Sequence, residues 1–573
     1  MEKRAIIAII LTFAVIMLWG VIQSKFFPTP PAKPPEEVKK ELLPLEKKTI
    51  EVVQPIPQKA VPEKVFPEKE VSVETPNYEA VFTTREGRLK HFKLKKYEDR
   101  IEESPIAIKL TRLVGDILGK KAGEPEKPKP LDLVNTKEEE GLPLGLVSVG
   151  QGLSLSDGNW EVNKEELRLA GAGEKGEIVF SKRLDNGLII VKRYGFGHQA
   201  YAVDLEVEVQ NTTASEITGQ LGLEWTGRIE LEKLADTENK DYGLKYSFLK
   251  NEKVETKDLG GTSSSGCTPG CSSPPRTVEP FEFSDKGGIR WFSFGGEYFS
   301  TLMSVLEAKE TLLTVKGDGK NLLKANLVAP QFSVLPQDKI RIPFRVYLGP
   351  KDEEQFKDLG VGAEKLVDYG FFTIVAKPLL WLLKATHTVT QNYGIDILIL
   401  SILIKIIFLP LTQISFKSMK EMQKVQPEMQ RLKEIYKNDK ARQQQEVMLL
   451  YKRRKINPMS GCLPMLIQIP VFIALYNALQ NAIEMRHAPF FLWIMDLSAK
   501  DPIYVTPLIM GATMVIQQKM TPSAADPAQA KMFMLMPIMF TFLFLNFPSG
   551  LVLYWLVNNV LSIAHQYYLN KKT

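Results

Sequence analysis

The sequence predicts a polytopic α-helical membrane protein with six spans, joined to a large extracytoplasmic antiparallel β-sandwich domain. Three observations predict it. An apolar stretch from Gly394 to Thr412 is long enough for a bilayer core, and four more follow it. Residues 71–348 carry a hydrophobic period of two, the mark of strands. Between Gln413 and Gly461 stand twelve Lys/Arg against five Asp/Glu, a bias that sets orientation.

Residues 5–22, AIIAIILTFAVIMLWGVI, follow the basic start MEKR. Leu18-Trp19 stand where signal cleavage needs small residues, so 1–25 reads as an uncleaved N-terminal anchor. Residues 26–70 are a Pro-rich linker, with ten Pro among alternating Lys and Glu from 28 to 70. Such a segment is extended and solvated.

The β-sandwich domain is expected over 71–350. Val203, Leu205, Val207 and Val209 alternate with polar residues. Asp185-Asn186-Gly187 and Asp318-Gly319 each separate two apolar runs, which predicts two hairpins. Ile340–Leu348 is a further strand, while 120–150 and 255–277 read as long loops. Asn211-Thr212-Thr213 matches a glycosylation acceptor, a pattern of low specificity. Cys267 and Cys271 lie in GCTPGC, where a small disulfide and two free thiols are both open readings. Cys462 begins an apolar stretch.

Residues 351–393 return to helical spacing. Within Phe371–Asn392, Phe371, Phe372, Val375, Leu379, Leu382 and Leu383 share a broad face, with Trp381 nearby. The expectation is an amphipathic helix in the membrane interface, kinked at Pro378.

The spans of the C-terminal part are 394–412, 463–483, 503–519, 532–547 and 549–567. The nineteen residues from Gly394 rise about 28 Å as a helix. Lys405 is the one charge in their middle, and Ser401 lies one turn earlier on the same face. A lysine at that depth costs about 2.5–3.5 kcal/mol, so it is expected to face a polar cavity or a partner. Segment 413–461 reads as a cytoplasmic helical hairpin. Its seam is Met419, Met422, Val425, Met429, Leu432 and Ile435, with a kink or a fresh helix start at Pro427 and a turn at Asn438-Asp439. The charge bias places it and both termini in the cytoplasm, with 26–393 outside. Fifteen of the 18 Met lie in 413–573, a composition suited to adaptable apolar contacts.

There is no HExxH, paired CxxC, Walker loop or GxSxG, and five scattered His offer no metal cluster. The chain is read as no enzyme, with no cofactor. The net charge of +6 is small for 573 residues, so no specific nucleic-acid sequence is expected as a partner. A secondary transporter coupled through Lys405 is the alternative, and it predicts repeats that the halves do not display. A merely anchored sugar-binding protein would leave Lys405 without a role.

Longer motifs add a resemblance. They are Lys452–Gln468 with Asn457-Pro458 and Gly461-Cys462-Leu463-Pro464, then Gln468-Ile469-Pro470-Val471-Phe472 and Ala474-Leu475-Tyr476. Ala488-Pro489-Phe490, Asp501-Pro502, Gln518-Lys519-Met520 and the run from Phe547-Pro548-Ser549-Gly550 to Tyr554-Trp555 follow. With the order of elements, these make the chain similar to the YidC/Oxa/Alb insertase family in its Gram-negative form. The resemblance implies a five-helix insertase core over 394–573, around a hydrophilic groove open to cytoplasm and lipid. It implies that Lys405 stands where the family usually has Arg, and that Ser401, Gln468, Tyr554 and Trp555 are groove positions binding a client. Nascent membrane proteins, membrane lipids, a Sec translocon and the ribosome are the implied partners. The implied function is insertion and chaperoning of inner-membrane proteins, alone or with the translocon. The outer domain resembles a sugar-mutarotase sandwich, and no catalytic residue carries over.

Overall fold

A computed structural model describes residues 67–572, apart from 103, 107, 110–126, 150–154, 156–157, 172, 198–199, 230–244, 260–277, 308, 455–462 and 521–526. The anchor at 5–22, the linker up to residue 66, and Cys267, Cys271 and Cys462 lie outside the described residues. One compact unit comprises residues 65–522 and 537–573, and residues 523–536 belong to another.

The alternation at 203–209 becomes the strand Ala202–Asn211, with Val203, Leu205, Val207 and Val209 buried. Burying each such side chain is worth about 1.5–3 kcal/mol. The strand sits inside a nine-stranded sheet, antiparallel to Lys339–Pro350 on one side and Leu188–Phe196 on the other. The first expected hairpin joins Gly176–Arg183 to Leu188–Phe196, with Gly187 at φ +83°, a conformation that glycine enters without strain. The second joins Leu312–Gly317 to Leu322–Val328 in a six-stranded sheet. A five-stranded sheet contributes Val71 and Phe92 to the apolar core that Leu205, Phe344, Leu223 and Leu327 share.

Several expectations are corrected here. Residues 120–150 are not loop throughout: Pro130–Asp132 pairs with Arg88–Glu98, and Gly145–Val149 with Ile217–Arg228. The strand Lys253–Asp258 likewise enters the expected loop 255–277. Strands this short show too few alternations for a period to stand out. The pairing is also not wholly antiparallel, because Glu70–Glu74 runs parallel to Glu166–Arg168. The amide of Asn211 is buried and donates to the carbonyls of Ser215 (2.7 Å) and Val334 (3.0 Å), so its nitrogen is engaged in the fold.

Lys192 is fully buried in this half. Its ammonium donates to the carbonyls of Glu86 (3.1 Å), Gly87 (2.8 Å) and Leu144 (2.7 Å). It also lies 5.7 Å from the Trp160 ring centre and 5.5 Å from that of Tyr194. Three donors meet three acceptors, which a lysine satisfies without a counter-ion. Burial, with the nearby Arg88 adding to it, pushes this lysine well below its ordinary value.

The helices follow. The helix α1 (Glu353–Asp358) is capped by Asp352, whose carboxylate accepts from the amides of Glu354 and Gln355 at 2.9 Å. The helix α2 (Thr373–Thr390) runs through Pro378 unbroken. One lost backbone bond near a helix start is offset by packing, here of Ala376, Leu380 and Leu383. Ile374 (85% exposed) and Trp381 (69%) point away from that contact. Phe371, read on the broad apolar face, is 76% exposed and precedes the helix.

The helix α3 (Tyr393–Ile435) spans 43 residues and contains both Pro410 and Pro427. Among the described residues it is the one helix long and apolar enough to cross a membrane, by length and composition. No fresh helix starts at Pro427, so the stretch 394–412 and the first arm of the hairpin are one helix. The returning helix α4 (Lys440–Arg453) packs Leu450 against Val425 and Met429, bracketing Pro427 with tertiary contacts. Asp439 caps α4 by accepting from the Arg442 amide at 3.0 Å. Ile435, expected in the seam, is 70% exposed at the tip.

The helices α5 (Leu463–Asn481), α6 (Val505–Met520), α7 (Pro527–Phe544) and α8 (Ser549–Lys572) fall on the remaining apolar stretches. The last of them packs against α6, α3 and α5, while α2 packs on α5 and α3.

Candidate functional site

The site is built where α3 and α8 face each other. On α8 the residues Tyr554, Asn558, Ser562 and Gln566 recur every four positions, and all four are buried. This spacing puts them on one face of a helix. Asn558 Nδ2 donates to the Tyr554 carbonyl (3.1 Å), and Ser562 Oγ donates to the Asn558 carbonyl (2.6 Å). From α3, half-buried Lys405 donates to Ser562 Oγ at 2.6 Å. Among the described residues Ser562 is its hydrogen-bond partner, and no carboxylate forms an ion pair with it.

The five sequence-predicted residues divide. Gln468 of α5 reaches Tyr554, its amide 3.5 Å from the phenol oxygen, a weak contact. Tyr554 is fully buried in the cluster formed by α2, α3 and α5. Ser401 is fully buried and donates to the Ile397 carbonyl (2.7 Å) one turn back in its own helix. Its hydroxyl proton is therefore committed there, and the partner of Lys405 is Ser562. Trp555 turns about 100° away from Tyr554, as neighbours on a helix do. It packs on Phe472 (5.2 Å between ring centres) and Phe544 (5.3 Å), within an apolar cluster that holds Met510 and Val552. The structure thus pairs Gln468 with Tyr554 and Lys405 with α8, and places Trp555 in separate packing.

Sequence reasoning missed Ser562, Asn558 and Asn559. Asn559 Nδ2 donates to Thr513 Oγ1 of α6 at 3.3 Å. The signal was present as polar residues at fixed spacing in an otherwise apolar helix. Its partner helix lay more than a hundred residues upstream, where spacing alone says nothing.

The opposite end of the helices is tied to the β-sheet half by 482–502. Ile483 packs into the β core, and Arg486 donates to the Glu98 carbonyl while its guanidinium lies 5.0 Å from the Phe299 ring centre. Lys384 of α2 pairs with Glu484. Asp501 caps the start of α6, accepting from the Thr506 amide (2.7 Å) and hydroxyl (2.6 Å). Burial pushes Asp496 above the usual carboxylate range, and His487 is pushed down to about 3 by burial and by Arg486 beside it.

The family model described as "60Kd inner membrane protein" matches residues 385–573, and that of the "YidC periplasmic domain" matches 120–382. The chain is 38% identical to the "Membrane protein insertase YidC" of Syntrophus aciditrophicus (strain SB), over 100% of both chains. The chain belongs to the YidC family. A second YidC relative, from Geotalea uraniireducens (strain Rf4), is 39% identical over 100% of this chain and 99% of its own. Among solved structures, an "Active YidC insertase crystal structure with the first transmembrane domain resolved" is similar, at TM-score 0.35 and 19% identity. The match covers 88% of this chain and 93% of that one. Lys405, Ser562 and the other α8 residues lie within the segment that the first family model matches.

Proposed function

We propose that this chain is a membrane protein insertase and chaperone of the bacterial inner membrane. The observation that carries this reading is Lys405: a cation in the apolar part of α3 whose partner is a neutral hydroxyl. An unpaired cation at such depth marks a polar pathway. In this reading five helices from α3 onward enclose a hydrophilic groove, and with the N-terminal anchor they make six spans. The sheets form a periplasmic sandwich within 71–350, the linker and 351–393 flank it, and both termini are cytoplasmic. A client's polar tail enters the groove from the cytoplasm, where Lys405, Gln468 and the α8 stripe replace part of its water. Its apolar segment leaves sideways into lipid, where burial is favourable. The same chain works alone or beside the Sec translocon, receives clients from the ribosome and uses no cofactor.

The experiment is a photo-crosslinking scan with stalled nascent chains. A crosslinker at Gln468 or Asn558 is expected to capture the client, and one at Ile374, on the exposed face of α2, to capture none. Active protein in which Ile374 crosslinks and Gln468 and Asn558 do not would overturn the groove.

A further inference from the structure

We infer that Ser562 is a positioning residue, one that fixes where the Lys405 cation stands and so sets the preference for clients with acidic tails. This rests on the reading of Lys405 as facing the client. The Ser562 hydroxyl has one proton, and it is given to the Asn558 carbonyl at 2.6 Å. Only lone pairs remain toward the groove, so Ser562 presents itself to Lys405 purely as an acceptor. An ammonium has three donors, and one meets Ser562. The other two are available to a carboxylate, and no described carboxylate competes for them.

Position matters more for lysine than for arginine. A lysine is a point charge on a flexible stem, whereas a guanidinium carries a rigid fork that reaches two acceptors at once. Ser401 likewise donates to a carbonyl one turn back, but it is Ser562 that accepts from Lys405. His565, one turn beyond Ser562 on α8, stands edge-on to Phe416 at 5.9 Å. Without Ser562, the ammonium swings between α8 and open groove, and the place where an acidic tail meets it is no longer fixed.

The test is insertion of clients that differ only in the number of tail carboxylates. It is done in cells depleted of wild-type protein, with levels matched by blotting. Hydrogen bonds to charged groups are strong enough that Ser562→Ala is expected to lower the acidic-to-neutral insertion ratio about fivefold to tenfold. Ser562→Thr restores the ratio. Lys405→Arg in the Ser562→Ala background restores it too, because the rigid fork meets a carboxylate in two parallel bonds and depends less on a positioning acceptor. Should Ser562→Ala not accumulate, Ser562→Cys decides, since it keeps the volume and loses most of the acceptor strength. An unchanged ratio, or an equal loss for all tails that Thr does not repair, overturns the positioning role. The underlying reading fails separately, by full insertion of every client with Lys405→Ala.

Discussion

Lys405 and Ser562 lie 157 positions apart and meet at 2.6 Å, joining α3 to α8. Among the described residues no carboxylate forms an ion pair with Lys405, so its partner there is a neutral hydroxyl. That is the arrangement expected of a group whose anionic partner arrives with the client. Packing supports it on both sides, because Ile404 and Tyr554 are buried in one cluster beside it.

Replacing the charge tests its role directly. Lys405→Arg is expected to keep insertion. Lys405→Ala should lower it for acidic tails about tenfold, the scale of one charge-assisted bond. Lys405→Glu should lower it further, since like charges repel strongly where water is sparse. The measurement is protease protection of inserted clients. Identical behaviour of Ala and Glu across tails would show the residue to be structural.

The hairpin of α3 and α4 is expected to be a docking element. Replacing Met422–Leu450 by a short Gly/Ser linker should impair insertion while the protein still accumulates in the membrane. Its core of Val425, Met429 and Leu450 is small and local, so its loss leaves the other helices packed. Undiminished insertion by the deletion variant would remove the docking role.

Acid should loosen the segment around His487. Its ring is held down to about 3 in the folded state, against about 6.5 unfolded. Between those values the unfolded state binds the extra proton, so stability falls as pH drops from about 6.5 toward 3. Hydrogen exchange of 482–502 is expected to accelerate over that window. His487→Asn keeps the left-handed backbone (φ +56°) within reach and should abolish the dependence. A pH response that survives the substitution would place its origin elsewhere.

Lys192→Met should destabilise the β-sheet half by about 3–5 kcal/mol, because three buried carbonyls lose their donor. The readout is limited proteolysis of the purified full chain against urea. An unchanged midpoint would mean that the three carbonyls find other donors.

Much of the fold was legible because two periods are hard to confuse. Val203 to Val209 announces its strand, and the turns at Gly187 and Gly319 need the glycines they have. The short strands inside 120–150 were not legible, since three to five residues carry no reliable period. Pro427 misled for a different reason. Its local cost is real, but contacts across the hairpin outweigh it, and no local rule contains those contacts. At the candidate site, Lys405 declared itself by charge in an apolar run. Ser562 did not, because a serine in an apolar helix is ordinary until its partner is known. Trp555 was named from the resemblance, and its ring packs on Phe472.

The unbroken course of α3 makes it a lever arm. From Lys405 to Ile435 the helix extends about 45 Å, so a tilt of about 5° at the lysine swings the tip by about 4 Å. Any partner that displaces the tip would therefore pull at the Lys405–Ser562 contact. A jointed connection at Pro427 would have absorbed the same movement.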